Sequence, residues 1–200
     1  MEEQEREFLY WNGPFKKYEQ KLGSRFPTIK AALNLFLQND GRTIVKTGTL
    51  RSLGHRWKEG NSTIVFGEFV SRYGGHLWTC DSNEEVIETA KTETKKYAEN
   101  ITYICEDPLG FIEKFDKKID LLFLNSFGPI PEGDASLAQE HNLKELLLAF
   151  PKTSPKGIIL LDDNWYPNGG KTALSKKYLS FKGWNCVLDF HQSLWIRGLG

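Results

Sequence analysis

The chain has 200 residues, a length that suits one sizeable domain and is short for two. It carries 26 basic and 26 acidic residues, so its formal net charge is zero and gives no long-range field to attract nucleic acid or an anionic membrane. No apolar run approaches the length of a membrane span, and residues 1–7 are too polar and acidic for a signal peptide. These observations argue against membrane and nucleic-acid partners and predict a cytoplasmic protein.

The cysteines indicate a reducing compartment. Cys80, Cys105 and Cys186 are odd in number and widely spaced, and each lies in an apolar, strand-like run. We therefore expect three buried free thiols. No two of them have the spacing of ligands in a metal site.

An N-terminal helical extension is predicted at residues 1–40, followed by one globular unit at residues 41–200. A charged helix is expected at residues 2–11. A proline opens a second helix at residues 28–38, where apolar side chains recur at helical spacing. The Asn-Asp-Gly triplet at residues 39–41 forms the turn that ends it.

From residue 42 onward, short apolar segments alternate with longer segments of helical character. The apolar segments, each predicted as a strand, are residues 42–46, 76–80, 101–105, 119–124 and 157–161. The helical segments are residues 62–73, 83–99, 108–115, 135–150 and 171–181. Elements that alternate in this way form right-handed βαβ units, so we expect a parallel sheet with helices on both faces.

Two further strands, at residues 185–190 and 193–197, break this alternation. Only about two residues join them, and a parallel crossover needs roughly a dozen residues, so the pair must be antiparallel. The sequence therefore predicts a mostly parallel, seven-stranded α/β sheet that is closed by an antiparallel C-terminal strand.

Polar residues follow all five of the alternating strands. In strand order they are Lys46, Thr47, Gly48 and Thr49; Asp81, Ser82 and Asn83; Glu106 and Asp107; Asn125 and Ser126; and Asp162, Asp163 and Asn164. Ligands of open α/β sheets bind outside the carboxyl ends of the strands, so we interpret these residues as one ligand site.

Each position has a physical use in such a site. Gly48 lets the backbone approach a ligand closely, and Asp81 is placed to accept hydrogen bonds from ribose hydroxyls. Glu106 or Asp107 could accept one from an adenine amino group. The alternative interpretation is local, since Asp81 and Asp107 could cap the helices that follow them and the acids after the fifth strand could belong to a turn.

Four of these segments resemble the class I S-adenosylmethionine (SAM) methyltransferases, which have a Rossmann-like fold, and specifically the small O-methyltransferase-like group called methyltransferase-24. The segments are VKTGT at residues 45–49, LWTCD at 77–81, DLLFLN at 120–125 and GIILLDD at 157–163. The similarity covers roughly residues 28–197, and it includes the antiparallel end of the sheet.

The resemblance implies SAM as the methyl donor and an oxygen of a small-molecule or sugar-like acceptor as its target. The residues it assigns to the cofactor are Lys46, Thr47, Gly48, Thr49, Asp81, Ser82, Glu106, Asp107 and Asn125. Metal-dependent relatives would bind Mg²⁺ or Ca²⁺ at the positions of Asn125, Asp162 and Asp163, although Asn125 removes one charge from that set. Asp162, Asp163 and Lys171 are the candidates that would orient or deprotonate the acceptor hydroxyl.

One departure from the family pattern concerns the cofactor. The family usually has an acid two residues before the glycine, where this chain has Lys46. A lysine there would repel the cationic part of SAM unless it turns away or loses its proton. The alternative hypothesis is a non-catalytic binding or partner protein with a degenerate site, which Asn125 also favours.

Three further alternatives concern other parts of the chain. An NAD-dependent oxidoreductase would need Gly-x-Gly-x-x-Gly after the first strand, and the residues after Thr47 lack the first glycine pair. The loop at residues 50–60 is either a lid or a solvated basic loop. The N-terminal helices either cover the acceptor pocket or form a homodimer contact.

His141 is expected at the surface, and His191 is expected to be structural.

Overall fold

A seven-stranded sheet organises the computed structural model, which describes residues 11–51, 61–127 and 135–198. Its strands are β1 (Thr43–Thr47), β2 (His76–Asp81), β3 (Ile101–Cys105), β4 (Ile119–Leu124), β5 (Thr153–Leu161), β6 (Trp184–Asp189) and β7 (Ser193–Arg197). Their order across the sheet is β3-β2-β1-β4-β5-β7-β6. Strands β1 to β5 pair in parallel, and β7 is antiparallel to both β5 and β6. The predicted fold class is confirmed.

Helices cover both faces of this sheet. They are α1 (Glu19–Leu22), α2 (Phe26–Gln38), α3 (Ser62–Tyr73), α4 (Glu84–Glu93), α5 (Pro108–Lys114), α6 (Ser136–Ala149) and α7 (Ala173–Phe181). Short 3₁₀ helices lie at Pro14–Tyr18, Gly23–Arg25, Lys95–Asn100, Phe150–Lys152 and Pro167–Thr172.

Two apolar clusters form the core, one on each face of the sheet. Because side chains alternate along a strand, Ile44 packs with α2 and α3, whereas its neighbour Val45 packs with α5, α6 and α7. Residues 11–36 belong to the first cluster, so the N-terminal extension shares its core with the sheet. The predicted helix at residues 2–11 lies outside the described residues except for Trp11.

Two predicted helices have different bounds in the structure. The helix predicted at residues 83–99 ends at Glu93, where the Thr94 hydroxyl donates to the Ala90 carbonyl, and a 3₁₀ segment follows. The helix predicted at residues 171–181 begins at Ala173, because Asn168, Gly169 and Gly170 have positive φ values that an α-helix cannot contain.

The predicted burial of the cysteines is confirmed for one of the three. Cys80 is buried, but Cys105 and Cys186 are exposed. The reason is their place in the sheet, since β3 and β6 are its two edge strands and offer cover on fewer sides. Among the described residues, none of the helices is long and apolar enough to cross a membrane.

Candidate functional site

A cavity of about 350 Å³ opens at the carboxyl edge of the sheet. It is lined by Gly48, Arg51, Asp81, Ser82, Asp107, Pro108, Ser126, Phe127 and His141. Its volume is within the range of small-molecule sites, and four of its residues are ones that the sequence assigned to a cofactor. A second cavity of about 400 Å³ lies beside α3, lined by residues that include Lys17, Glu68 and Tyr97, and contains none of the strand ends.

The loop after β1 lies directly against the end of β4. Gly48 has a φ of +70°, and a Cβ atom at this position would be 2.4 Å from the backbone oxygen of Asn125. The Thr47 hydroxyl accepts a hydrogen bond from the Asn125 amide at 3.2 Å. Only glycine therefore fits the floor of the cavity, and Thr47 fastens the two strand ends together.

Asp81 faces this loop instead of capping the next helix. Its carboxylate accepts hydrogen bonds from the Thr49 amide at 3.3 Å and the Asn83 amide at 3.1 Å. Asn83 is the residue that caps α4, because its side chain accepts from the first turn. Helix capping, the alternative role that the sequence left open for Asp81, is thus performed by Asn83, and Asp81 lines the cavity.

The two acids after β3 have different environments. Asp107 lines the cavity and also caps α5, accepting from the Leu109 and Gly110 amides. Glu106 instead accepts from the Lys114 ammonium and is absent from the residues that line the cavity. Of this pair, only Asp107 is placed to meet a ligand.

Lys46 is fully buried and does not line the cavity. Its ammonium donates to the Gly48 carbonyl and lies 5.6 Å from the centroid of the Phe123 ring. Burial lowers the pKa of Lys46 to about 7, although the charges of Asp162 and Asp81 oppose this shift. The expected repulsion of a cationic cofactor is therefore reduced in two ways: the Lys46 amine bonds to the Gly48 carbonyl within the core, and it is only partly protonated near neutral pH.

A second group of charges lies beyond β5, around the two acids after that strand. Asp162 is fully buried, and Arg25 Nε donates to its Oδ1 at 2.8 Å and its Oδ2 at 3.1 Å. Arg25 Nη2 also donates to Asp163 Oδ1 at 2.7 Å. The sequence did not identify Arg25, which is 137 positions from Asp162 and belongs to no recognisable motif.

Lys171 completes this group from the other side. Its Nζ donates to Asn125 Oδ1 at 2.9 Å, to the Ser126 carbonyl at 3.0 Å and to Asp163 Oδ2 at 2.9 Å. Burial would raise the pKa of Asp163, but the hydrogen bond with His191 and the charges of Lys171 and Arg25 hold it well below its usual range. The structure therefore brings together Asn125, Asp163 and Lys171, as the sequence analysis expected of residues at one sheet edge.

His191, which the sequence predicted to be structural, also lies in this group. Its Nε2 is 3.3 Å from Asp163 Oδ1, because β6 runs parallel to β5 and the β6–β7 hairpin reaches the same edge of the sheet. The His191 ring lies 5.6 Å from the ring of Trp165, which is 61% exposed and stacks on Tyr166.

The predicted metal donors are already engaged by cations. Asp162, Asp163 and His191 bring potential ligand atoms within 4.8 Å of one another, but Arg25 bonds both carboxylates. Asn125 and the second oxygen of Asp163 bond to the Lys171 ammonium. A divalent ion does not fit these residues as they are arranged, since it would have to displace two positive side chains.

A buried carboxyl group, that of Glu145, is bonded to a side chain that lines the cavity. Glu145 is fully buried, and its Oε1 accepts from the Ser126 hydroxyl at 2.7 Å. His141 Nε2 lies 3.1 Å from the same hydroxyl, and the His141 side chain lines the cavity. The sequence predicted a surface position for His141, but its side chain is only partly exposed. Burial raises the pKa of Glu145 to about 7, although hydrogen bonds from Ser126 and Thr47 oppose the shift. Nothing in the sequence marked Glu145, which lies in an ordinary helical segment.

Comparison with known proteins gives one family match. The model of the family described as a methyltransferase domain matches residues 57–164, which is more than half of the chain. No curated protein matches the chain by sequence.

Solved structures with the same fold include several methyltransferases. The O-methyltransferase NovP aligns with a TM-score of 0.64 and 16% identity, over 87% of this chain and 79% of that one. The SAH-bound methyltransferase PaMTH1 of Podospora anserina aligns with a TM-score of 0.61 and 17% identity, over 90% and 81% of the two chains. An rRNA methylase from Streptococcus thermophilus aligns with a TM-score of 0.57 and 12% identity, over 85% and 96%. At these identities the likeness establishes the fold.

Proposed function

Because the chain belongs to the methyltransferase-domain family, we propose that it transfers a methyl group from SAM to an oxygen of a small-molecule acceptor. The observation that carries this proposal is the cavity in which Gly48 and Asp81 meet at the carboxyl edge of the sheet. The resemblance in the sequence and the family match agree, and the solved structure of PaMTH1 contains SAH, the product that SAM leaves.

The residues at the cavity fit a nucleoside. Asp81 offers a carboxylate to ribose hydroxyls, and Asp107 offers acceptors on the next strand end for an adenine amino group. Gly48 leaves room for a ligand to approach the backbone. When bound, SAM would supply a methyl group that is activated by its positively charged sulfur.

Lys46 is compatible with this cofactor. The hypothesis of a non-catalytic protein depends on Lys46 and Asn125. Lys46 donates to the Gly48 carbonyl within the core, and its pKa is lowered to about 7, so it does not place a full positive charge at the cavity. Asn125 accepts from Lys171 and therefore has a defined partner. Neither residue now favours a degenerate site.

We place the acceptor between the cavity and His191. The side chain of Asp162 is 1% exposed and is bonded to Arg25, so we assign it to holding Arg25. Asp163 orients His191, and the imidazole is the group best placed to take the proton of an acceptor hydroxyl. The exposed ring of Trp165 beside it offers a flat apolar surface for the acceptor.

Two features favour a small acceptor and oxygen chemistry. The chain has no net positive charge with which to bind RNA, although rRNA methylases share its fold. The O-methyltransferase NovP has a similar fold. In such a transfer the protein contributes mainly by holding the acceptor oxygen in line with the methyl group.

The first experiment is a calorimetric titration of the protein with SAM and with SAH. We expect micromolar binding, and we expect Asp81→Ala to weaken it at least about tenfold, since a charge-assisted hydrogen bond contributes about 1.5 to 3 kcal/mol. The matched control is Asp116→Ala, an exposed aspartate that precedes β4 at the opposite edge of the sheet.

His191→Ala tests the acceptor end separately. It should retain SAM binding but lose about 10²- to 10⁴-fold in turnover with any acceptor found by screening, the usual contribution of a general base. Absence of SAM and SAH binding to the folded wild-type protein would refute the cofactor. Equal turnover in wild type and His191→Ala would refute the role of His191 as the base but would leave the proposed cofactor standing.

A further inference from the structure

The Lys171 ammonium occupies a pocket built from oxygen atoms. Its three hydrogen-bond partners are an amide oxygen of Asn125, the carbonyl oxygen of Ser126 and a carboxylate oxygen of Asp163, all at 2.9 to 3.0 Å. The Lys171 side chain is only 3% exposed. An ammonium group has three donors, so this one is fully satisfied. Carbonyl and carboxylate oxygens are also the ligands that Mg²⁺, Ca²⁺ and Mn²⁺ prefer.

The backbone before Lys171 has an unusual conformation that brings this side chain to the pocket. Asp163, Asn168, Gly169 and Gly170 all have positive φ values. At Gly170 the chain passes so close to β5 that a Cβ atom would be 1.9 Å from the Asp163 carbonyl oxygen. Such conformations are costly for most residues but suit glycine and asparagine, and through them the loop brings Lys171 against Asp163.

The four charged side chains that are bonded to one another at this pocket balance in charge. Arg25 and Lys171 contribute two positive charges, and Asp162 and Asp163 contribute two negative ones. These side chains are all at most 20% exposed. A divalent ion added to this group would leave two uncompensated positive charges in a poorly solvated place, which is strongly unfavourable.

We propose that Lys171 is the resident cation of this site and takes the place of a divalent metal ion. Lys171 then fixes Asn125 and Asp163, and through Asp163 it fixes His191, with no metal required. Lys171 is thus a positioning residue. The consequence that methyl transfer is independent of metal rests on the function proposed above, whereas the occupation of the oxygen pocket by Lys171 does not.

Mn²⁺ binding in the absence of SAM tests the occupation directly. Free Mn²⁺ is measured by electron paramagnetic resonance as the ion is added to the wild type and to Lys171→Ala. We expect the wild type to bind no Mn²⁺ that depends on Asn125 or Asp163. Lys171→Ala should bind one ion with a dissociation constant of about 10⁻⁴ to 10⁻³ M, the range of weak oxygen-ligand sites. The double variant Lys171→Ala/Asn125→Asp should bind Mn²⁺ at least about tenfold more tightly than Lys171→Ala does, because it adds a carboxylate ligand.

A matched control comes from the same region of the chain. Lys176→Ala also removes a lysine from a carboxylate, that of Asp189, but outside the oxygen pocket. It should gain no Mn²⁺ binding. Lys171→Ala/Asp163→Ala should lose whatever Lys171→Ala gains. Circular dichroism establishes that each variant is folded.

Two results would overturn the proposal. One is a wild-type protein that binds Mn²⁺ and loses this binding in Asn125→Ala. The other is a folded Lys171→Ala that binds no Mn²⁺. If Lys171→Ala does not fold, the wild-type titration alone decides between Lys171 and a metal. A methylation assay with and without a chelator tests the catalytic consequence, and we expect the rate to be unchanged. The outcome of this assay is independent of the Mn²⁺ titrations.

Discussion

At the residue scale, Lys46 shows how the position of a charged side chain within a strand decides what it can do. It pairs laterally with Phe123 in the sheet and lies on the face that packs against α2 and α3. Its ammonium donates to the Gly48 carbonyl, and burial lowers its pKa from 10.5 to about 7. From the sequence, Lys46 is expected to repel a cationic cofactor. In the structure its amine bonds within the core and carries less than a full positive charge near neutral pH.

The lowered pKa of Lys46 predicts a specific pH dependence of stability. Between pH 7 and 10.5 the unfolded chain binds a proton at Lys46 that the folded protein does not, so the free energy of unfolding should rise with pH across this window. Lys46→Met removes that contribution. Its stability relative to the wild type should therefore fall as the pH rises from about 7 to about 10.

Urea denaturation at several pH values measures this difference. Lys156→Met, which replaces an exposed lysine in β5, is the control and should differ from the wild type by a nearly constant amount. A constant difference between Lys46→Met and the wild type over the same window would show that Lys46 is charged in the folded protein.

At the scale of elements, the segment between β5 and α7 determines the geometry of the site. The sequence left open a turn at the acids after β5 and predicted a helix from residue 171. In the structure a kinked 3₁₀ segment at Pro167–Thr172 precedes the helix and folds back onto the end of β5. Gln139 on α6 holds it there by donating to the Gly170 carbonyl at 2.9 Å. This return of the chain, not the helix, positions Lys171.

Gly170→Ala should therefore be more harmful than an equivalent change elsewhere. Gly170 and Gly183 both have positive φ, at +59° and +74°, but a Cβ atom at Gly183 would meet no atom within 4 Å. Gly183→Ala should cost about 1 to 2 kcal/mol from backbone strain alone. Gly170→Ala should cost about 1 to 3 kcal/mol more, because its Cβ also collides with the Asp163 carbonyl.

Equilibrium denaturation of the two variants compares these costs. Equal destabilisation of Gly170→Ala and Gly183→Ala would mean that the segment at Pro167–Thr172 moves away from β5 freely. In that case the loop could not hold Lys171 in a fixed position.

At the scale of the whole molecule, the N-terminal extension is joined to the site by packing and by one ion pair. The helix α2 packs against β4, β5 and β7, and Arg25 just before it reaches Asp162 and Asp163. Arg25 therefore contacts the two acids beside the acceptor position that we propose. The two roles that the sequence left open for this extension, covering the acceptor pocket and forming a homodimer contact, both stay predictions.

Arg25→Ala should destabilise the protein by about 3 to 5 kcal/mol, because it leaves the buried Asp162 without its partner. Lys17→Ala is the control. Lys17 also joins the extension to the sheet domain, by an ion pair with Glu68, but its side chain is 46% exposed and such pairs contribute about 0 to 1 kcal/mol. Urea denaturation midpoints of the two variants give the comparison. An Arg25→Ala variant no less stable than Lys17→Ala would mean that Asp162 reaches solvent or another cation.

The sequence by itself determined the sheet and the edge at which the site lies. Alternation of apolar and helical segments predicted five parallel strands, and the short link near His191 required the antiparallel pair. These features depend on local periodicity and on connection length, which can be read without knowing any distant contact. For the same reason the polar strand ends could be assigned to one edge, and Gly48, Asp81 and Asp107 do line one cavity.

Only the tertiary structure decided which of those polar residues are free to act. Asp162 is paired with Arg25 from 137 positions away, and Lys171 fills the oxygen pocket that looked like a metal site. His191 joins Asp163 because β6 and β7 bring their hairpin to the edge of β5. Such partners cannot be inferred from periodicity, because hydrogen bonds between distant residues depend on where the whole chain places each side chain, including loop conformations that few residues tolerate.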